Sequence, residues 1–335
     1  MKQSFLVHKV ACATASVLLS TFTGIAAVSQ TVIGTIPAQN GATGTPMTIA
    51  VNPFTHLVYI AGNGVEVVDQ RTNEPVTTFP VGQNDLLASA INPVTRKLYV
   101  ADYNTGVYII ELTSNTIVGQ FSLQFVRGMT YNPINNRIYA LDNYENVWAL
   151  DGTTGALIKE IAAPADMYAG YSITINPATN LLYVPLTTPS GVPNSMYVVN
   201  ANTNATTTVP LQADPQFVEV DPLRNIVYIS EAFTQGGQIE VMNGATNTDT
   251  AIITPIPALP ENFSIDPLTR RIYLADANSN VYVIDGTTNT VTPTVIPVGT
   301  NPINEALDLL HGLLYVGNTS LFQPGTPSVS VISLR

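Results

Sequence analysis

The sequence predicts an all-β fold, a seven-bladed β-propeller of four-stranded antiparallel blades in which an N-terminal strand closes the last blade. Three observations predict it: an eight-residue phrase occurs seven times, successive copies begin 40 to 45 residues apart, and the last copy lacks a fourth strand. Repeats of this length are typical of propeller blades. We expect residues 1–29 to be a signal peptide and residues 30–335 to form a single propeller domain.

The first 29 residues have the pattern of an export signal. Lys2 and Lys9 form a basic start, a mostly apolar run follows from Val10 to Gly24, and Ala27 and Ser29 precede a cleavage site. Cleavage after Ala27 is the nearby alternative. A transmembrane anchor is disfavoured because Thr and Ser interrupt the run and no basic residue follows it. The pattern predicts a secreted or periplasmic cell-envelope protein whose mature form has no cysteine.

The repeated phrase begins with Asn or Asp, continues in most copies with proline, and ends with tyrosine. An Asx-Pro pair favours a turn, because proline fixes its own φ and the Asx side chain caps the backbone. A short apolar strand precedes each phrase, and a second strand is centred on the tyrosine. The copies are NPFTHLVY from Asn52, NPVTRKLY from Asn92, NPINNRIY from Asn132, NPATNLLY from Asn176, DPLRNIVY from Asp221, DPLTRRIY from Asp266 and DLLHGLLY from Asp308.

A third alternating strand follows in each repeat, and Val329 to Ile332 is the last of them. A fourth strand such as Val291 to Pro297 completes a blade, but the final repeat ends without one. Thr31 to Pro37 resembles these fourth strands, and we expect it to pair with Val329 to Ile332 and cover the open edge. Residues that tolerate positive φ are expected at hairpin corners, in the pairs Asp151-Gly152, Asn243-Gly244 and Asp285-Gly286.

The phrase, the Asp-Gly-Thr-Thr-Asn run from Asp285 to Asn289 and the Ile-Pro-Val-Gly run from Ile296 to Gly299 resemble the YVTN β-propeller repeat family. The resemblance covers residues 31–335 and implies an exported seven-bladed propeller. Relatives in that family include many bacterial and archaeal cell-envelope proteins without assigned activity. Wider seven-bladed relatives include lactone hydrolases and cofactor-dependent dehydrogenases, so the resemblance implies no single function.

Acidic residues stand where this family has asparagine, three residues after the tyrosine of the phrase. They end second strands on the face where the chain enters each blade, which we call the loop face. Variable loops on a rigid scaffold often carry binding, so these acids predict a site for a cation, an amine or a basic peptide. Capping of their own turns is the alternative role. The four acids are Asp102, Asp142, Glu231 and Asp276.

Other candidate site residues lie in or near the innermost strands. Glu219 and Glu305 interrupt strands that are otherwise mainly apolar or uncharged, so they are pocket candidates or partners of channel water. Five residues near the entrance could complete a pocket or pack between blades: Arg127, Tyr168, Tyr171, Phe217 and Glu261. Three longer loops on this face, Pro185 to Ser195, Ser230 to Gln238 and Gly317 to Ser328, are rich in Gly, Pro and Ser.

Charge and missing motifs limit the function. Residues 30–335 carry a formal charge near −13, which opposes binding to nucleic acid. His56 and His311 belong to different blades, which argues against a catalytic triad or a histidine zinc site. We expect a monomeric scaffold for binding or protein interaction, whose small-molecule, cation or peptide partner meets the loop face. No cofactor is evident, although a divalent cation such as calcium stays open. The alternative is a calcium-type, lactonase-like hydrolase with carboxylates at the channel mouth.

Overall fold

The computed structural model describes residues 30–38, 45–83, 85–144, 146–163, 168–187, 194–231, 237–256, 260–319 and 325–335. For residues 168, 169, 187 and 261 it describes the backbone but not the side chain. All regular structure in these residues is β-strand, arranged in seven antiparallel sheets. The predicted signal peptide, residues 1–29, and the central parts of the three long loops lie outside the described residues.

Blades 1 to 4 follow each other along the chain. Blade 1 contains β2 (Thr48–Asn52), β3 (Leu57–Ala61), β4 (Val65–Asp69) and β5 (Glu74–Phe79). Blade 2 contains β6 (Leu86–Asn92), β7 (Lys97–Asp102), β8 (Gly106–Glu111) and β9 (Thr116–Phe121). Blade 3 contains β10 (Val126–Asn132), β11 (Arg137–Asp142), β12 (Val147–Asp151) and β13 (Leu157–Ile161). Blade 4 contains β14 (Tyr168–Ala169), β15 (Thr174–Asn176), β16 (Leu181–Thr187), β17 (Ser195–Asn200) and β18 (Thr206–Pro210).

Blades 5 to 7 complete the molecule. Blade 5 contains β19 (Pro215–Asp221), β20 (Ile226–Glu231), β21 (Gln238–Asn243) and β22 (Thr248–Ile253). Blade 6 contains β23 (Pro260–Asp266), β24 (Arg271–Asp276), β25 (Asn280–Asp285) and β26 (Thr290–Pro297). Blade 7 contains β27 (Pro302–Asp308), β28 (Leu313–Asn318), β29 (Ser328–Ser333) and β1 (Thr31–Pro37).

The seven blades form a closed ring, which confirms the predicted fold class. Each innermost strand contacts that of the next blade, and β27 of the last blade contacts β2 of the first. Among the described residues, only blade 4 departs from four strands, because its innermost strand is broken into β14 and β15. At the break, the backbone N–H of Tyr171 donates to the carbonyl of Gln216 in blade 5 at 2.9 Å.

The N-terminal strand closes the last blade as the sequence predicts. β1 pairs antiparallel with β29, so that Val32 faces Ile332 and Ile36 faces Val329. Ile36 is buried in the same apolar cluster as Val329 and Val58 of blade 1. The two ends of the described chain therefore lie in one sheet, and both the hydrogen bonds of the sheet and the core behind it depend on β1.

The tyrosine that ends each phrase is buried in every blade. Its exposed fraction is 2% or less in all seven copies: Tyr59, Tyr99, Tyr139, Tyr183, Tyr228, Tyr273 and Tyr315. Burial raises the pKa of Tyr59 to about 12. The hydroxyl of Tyr99 donates to the backbone carbonyl of Asp151 in the next blade at 3.2 Å. These contacts support a structural role for the repeated tyrosines.

The first residue of the phrase joins neighbouring blades. Asn92 Nδ2 donates to Asn136 Oδ1 of the next blade at 2.8 Å, while Asn92 Oδ1 accepts from the backbone N–H of Val94 at 3.1 Å. Asn176 makes the corresponding bond to Asn225 at 2.7 Å. One amide thus caps its own turn and fixes the adjacent blade, a second reason for Asn at this position besides turn propensity.

The hairpin glycines differ from the prediction. Gly152, Gly244 and Gly286 do not have positive φ; in the same hairpins positive φ occurs at Gly155, Asn247 and Asn289. A Cβ at Gly152 would lie 2.7 Å from the carbonyl oxygen of Asn136, and one at Gly286 would lie 2.8 Å from that of Arg270. Glycine is needed at Gly152 and Gly286 because the hairpin after the third strand approaches the backbone of the phrase turn too closely for a side chain.

Candidate functional site

Asp102 illustrates how the acids at the ends of second strands are held. Its Oδ1 accepts from the backbone N–H groups of Asn104 at 3.0 Å and Thr105 at 2.9 Å. Its Oδ2 accepts from the N–H of Gln83, in the segment entering blade 2, at 2.6 Å. Burial by itself raises the pKa of Asp102, but these donors lower it overall. The carboxylate therefore stabilises two loops at once.

Asp142 has the same role in blade 3. Its Oδ1 accepts from the N–H groups of Tyr144 at 2.8 Å and Asn146 at 3.0 Å. Its Oδ2 accepts from the indole Nε1 of Trp148 at 2.8 Å. Trp148 lies in the third strand, beside the end of the second. The carboxylate therefore links the two strands as well as capping its turn.

Glu231 and Asp276 complete the set. Glu231 accepts from the N–H of Ala213 at 3.0 Å and from Gln238 Nε2. Asp276 Oδ1 accepts from the N–H of Asn278 at 2.7 Å, and burial raises the pKa of this carboxyl. All four acids are at most 3% exposed. Their geometry supports turn capping, the alternative that the sequence left open, and a ligand-binding role for them stays a prediction.

In blade 5, two carboxyl groups, those of Glu231 and Glu240, lie side by side where the second strand ends. Glu240 takes the place that Trp148 has in blade 3, and it is fully buried beside Glu231. Burial, and then the neighbouring carboxylates Asp249 and Glu231, raise the pKa of Glu240 to about 9. Glu240 Oε2 accepts from the N–H of Gln212 at 3.1 Å. Burial and the neighbouring carboxylates thus favour the protonated form of Glu240, which can donate where Trp148 donates in blade 3.

Glu219 and Glu305 lie in innermost strands, as expected. Thr174 Oγ1 donates to Glu219 Oε2 at 3.3 Å, and burial raises the pKa of Glu219 to about 7. Burial also raises the pKa of Glu305, and the charge of Glu219 raises it further. Glu305 lies beside Ser264 of blade 6, so it belongs to the seam between blades 6 and 7. Burial therefore disfavours the charged form of both carboxyls.

A separate pocket of about 390 Å³ lies at blades 1 to 3. The innermost strands of blades 1 to 3 line it with mainly apolar residues, and neither Glu219 nor Glu305 reaches it. Among the described residues, no three His, Cys, Asp or Glu side chains are placed to hold a metal ion. The side chain of Glu261, another predicted site residue, is outside the described part of the chain.

Two aromatic clusters lie on the loop face. In the first, the rings of Tyr103 and Phe125 are 5.1 Å apart and those of Phe125 and Tyr144 are 5.9 Å apart, both edge to face. Tyr144 is 63% exposed. The sequence analysis did not predict these residues. Two of them carry a signal, an aromatic residue one or two positions after a capping acid: Tyr103 follows Asp102, and Tyr144 lies two residues after Asp142.

The second cluster brings three blades together. The guanidinium of Arg127, from blade 3, lies 5.1 Å from the ring centre of Tyr171 in blade 4. That ring stacks on Phe217 of blade 5 at 5.9 Å and is 50% exposed. Arg127 makes no ion pair with any described residue. Of the predicted entrance residues, the structure thus places three in this cluster, whereas the side chain of Tyr168 is not among those described.

We call these six residues, Tyr103, Phe125, Arg127, Tyr144, Tyr171 and Phe217, the aromatic arc. Its two clusters are joined through β10, which begins one residue after Phe125 and carries Arg127. The opposite face, formed by the turns of the repeated phrase, exposes single apolar side chains. They occupy the third position of the phrase: Phe54, Val94, Ile134, Leu223, Leu268 and Leu310.

Solved structures resemble this chain over nearly its whole length. The structure of U3-55K matches with a TM-score of 0.75 at 11% identity, covering 93% of this chain and 100% of that one. The RRP9 WD40 repeats match with a TM-score of 0.77 at 11% identity, covering 92% and 99%. Hydrazine synthase of Kuenenia stuttgartiensis matches with a TM-score of 0.74 at 14% identity, covering 93% and 99%.

The fold is a seven-bladed β-propeller. At these identities the likeness shows the fold alone, and the propeller fold carries both WD40 repeats and an enzyme among these neighbours. No family model and no curated protein matches the sequence. Within the described residues there is no helix whose length and apolar character would allow it to cross a membrane.

Proposed function

We propose that this protein is an exported propeller scaffold of the YVTN type that binds a protein or peptide partner with the aromatic arc. The observation that carries the proposal is the stack of Arg127, Tyr171 and Phe217, which three blades build together on the loop face and in which the ring of Tyr171 is half exposed. Tyr and Arg are enriched among the residues that supply most binding energy in protein interfaces. The rigid ring keeps these side chains in place before binding.

The chemistry of the arc indicates what the partner presents. The guanidinium of Arg127 lies over an aromatic ring and has no carboxylate partner among the described residues, so its planar donors suit a carboxylate or backbone carbonyl of a peptide. The exposed ring faces of Tyr144 and Tyr171 suit apolar or aromatic side chains. The buried acids are already engaged within their turns and contribute no exposed charge to this contact.

A selection of peptide ligands tests the proposal. Residues 30–335 are used to select binders from a random peptide library, and affinities are compared for Arg127→Ala, Tyr171→Ala and a control, Val118→Ala. Val118 is exposed on the outermost strand of blade 2, away from the arc. Each arc variant should weaken binding at least about tenfold, and the control should not. Selected peptides that bind all three variants equally would contradict the proposal.

The calcium-dependent hydrolase is the second candidate, because burial raises the pKa of both Glu219 and Glu305 and the charge of Glu219 acts on Glu305. Thermal unfolding in EDTA and then in millimolar calcium distinguishes it. A bound ion at a hundredfold excess over its dissociation constant would add about 2.7 kcal/mol to the unfolding free energy. The scaffold proposal predicts no rise in the melting temperature, whereas a rise that EDTA reverses would favour the hydrolase.

A further inference from the structure

Two histidines meet where the ring closes. The imidazole rings of His56, in blade 1, and His311, in blade 7, have centres 4.5 Å apart and planes inclined by 52°. The sequence analysis placed them in different blades and took that as an argument against a histidine site. In a closed ring, however, blades 1 and 7 are neighbours, and both histidines lie in the turns between first and second strands.

His311 is held in the orientation of a metal ligand. Its Nδ1 lies 2.7 Å from Oδ2 of Asp308. Asp308 is 1% exposed and is itself fixed by Gln70 Nε2 and by the backbone N–H groups of Leu310 and His311. Metal-binding histidines almost always donate one ring N–H to such a carboxylate, which leaves the other nitrogen to bind the ion. Here that nitrogen is Nε2, on a side chain that is 27% exposed.

The ring separation fits a shared ion. A metal–nitrogen bond of about 2.1 Å places the ring centre about 3.2 Å from the metal. Two ring centres 4.5 Å apart then subtend about 90° at one ion, the angle between adjacent ligands in square-planar or octahedral coordination. Imidazole ligands with this angle suit Ni²⁺ and Cu²⁺ best, and Zn²⁺ also binds imidazole. Water would fill the remaining positions.

The neighbouring charged groups are already paired. Asp69, which lies near His56, accepts from Arg71 Nε at 2.9 Å and forms an ion pair with its Nη2 at 2.5 Å. Arg335 donates to the backbone carbonyls of Leu309 and Leu310, each at 3.1 Å. We propose that His56 and His311 form a two-imidazole site for a divalent transition-metal ion across the seam between blades 7 and 1.

Nickel binding tests the site cleanly, because these are the only histidines in residues 30–335 and that segment has no cysteine. Untagged protein is titrated with Ni²⁺ by calorimetry, and one ion per chain is expected. His56→Asn and His311→Thr are the matched variants. Asn136, Asn180 and Asn225 occupy the position of His56 in other copies of the phrase, and Thr55, Thr95 and Thr269 occupy that of His311.

Each histidine variant should weaken Ni²⁺ binding at least tenfold while leaving the melting temperature of the metal-free protein nearly unchanged. Asp308→Asn, which carries the residue found at the first position of four other copies, should weaken binding by about 10-fold to 100-fold by releasing the ring of His311. With Zn²⁺, the imidazole NMR signals of both histidines should shift together.

Four results would overturn the site. The first is no Ni²⁺ binding at millimolar concentration, and the second is binding that survives both histidine substitutions. The third is one ion per two chains together with a dimer in light scattering, because that would place the metal between molecules. A Zn²⁺ shift at only one histidine would equally overturn it, since a single surface imidazole would then be the ligand.

Discussion

At the residue scale, each capping acid occupies a predictable place but has partners that the sequence did not predict. The phrase locates Asp102, Asp142, Glu231 and Asp276 at the ends of second strands, and the structure confirms that placement. Their donors come from turns, from the segment entering the blade, and from third-strand residues such as Trp148. Such contacts depend on how strands twist and meet, which spacing alone does not define.

Asp142→Asn tests the capping role. Both carboxylate oxygens of Asp142 accept hydrogen bonds. In the variant an NH2 group replaces one of them and faces other donors, either Asn146 Nδ2 and Trp148 Nε1 or the backbone N–H groups of the turn. We expect a loss of about 1–3 kcal/mol in the free energy of unfolding, measured with urea at pH 7.

Asp285→Asn is the control, because Asp285 lies at an exposed turn where other blades carry Asn200 and Asn243. It should change the free energy of unfolding by less than about 0.5 kcal/mol. Equal stability of the Asp142 variant and the parent protein would contradict a structural role for Asp142 and favour ligand binding there.

Glu240 gives the fold a predictable pH dependence. It is protonated below a pKa of about 9 in the folded protein but only below its ordinary value of 4.5 when unfolded. The folded state therefore binds the extra proton between these values, so this stabilisation is complete below pH 4.5 and is lost as the pH rises through 9. Glu240→Gln should flatten the decline in unfolding free energy between pH 5 and pH 9.

The matched control is Glu160→Gln, on the exposed outer strand of blade 3, which should leave the decline unchanged. Urea unfolding at pH 5, 7 and 9 measures both variants. A decline that is as steep in the Glu240 variant as in the parent protein would show that other groups, such as Glu219 and Glu305, carry the pH dependence.

At the scale of elements, the sequence predicted strands better than the surfaces between them. The second strand of blade 1, Leu57–Ala61, is centred on Tyr59 as predicted, and the last predicted third strand, Val329 to Ile332, lies within β29. The break of the innermost strand in blade 4 was not predicted, because it depends on a backbone hydrogen bond to Gln216 in another blade. The stack of Tyr171 on Phe217 arises at that break, so this part of the site could not be inferred from periodicity.

Removal of β1 tests the closure. Without Thr31–Pro37, β29 has an open edge and the apolar cluster at the seam between blades 7 and 1 loses Ile36. We expect the melting temperature of residues 38–335 to fall well below that of residues 30–335, with a broader transition. A cooperative transition at an unchanged temperature would show that β1 is dispensable.

At the scale of the whole molecule, the ring sets which residues meet, and this could be predicted only in part. Seven repeats and a displaced strand are enough to predict a closed ring, but only the closed ring makes His56 a neighbour of His311. The same geometry collects Arg127, Tyr171 and Phe217 from three blades on one face. Export and the identity of the partner stay predictions, because they depend on recognition by other molecules.

Hydrogen–deuterium exchange with a selected peptide ligand tests the central claim, that this face is the recognition surface, most directly. The account predicts that the peptide slows exchange in segments around Tyr103, Phe125 to Arg127, Tyr144 and Tyr171, and leaves the phrase turns near Phe54 and Leu223 unchanged. Protection at the phrase turns, with none at the aromatic arc, would contradict the account and place binding on the opposite face.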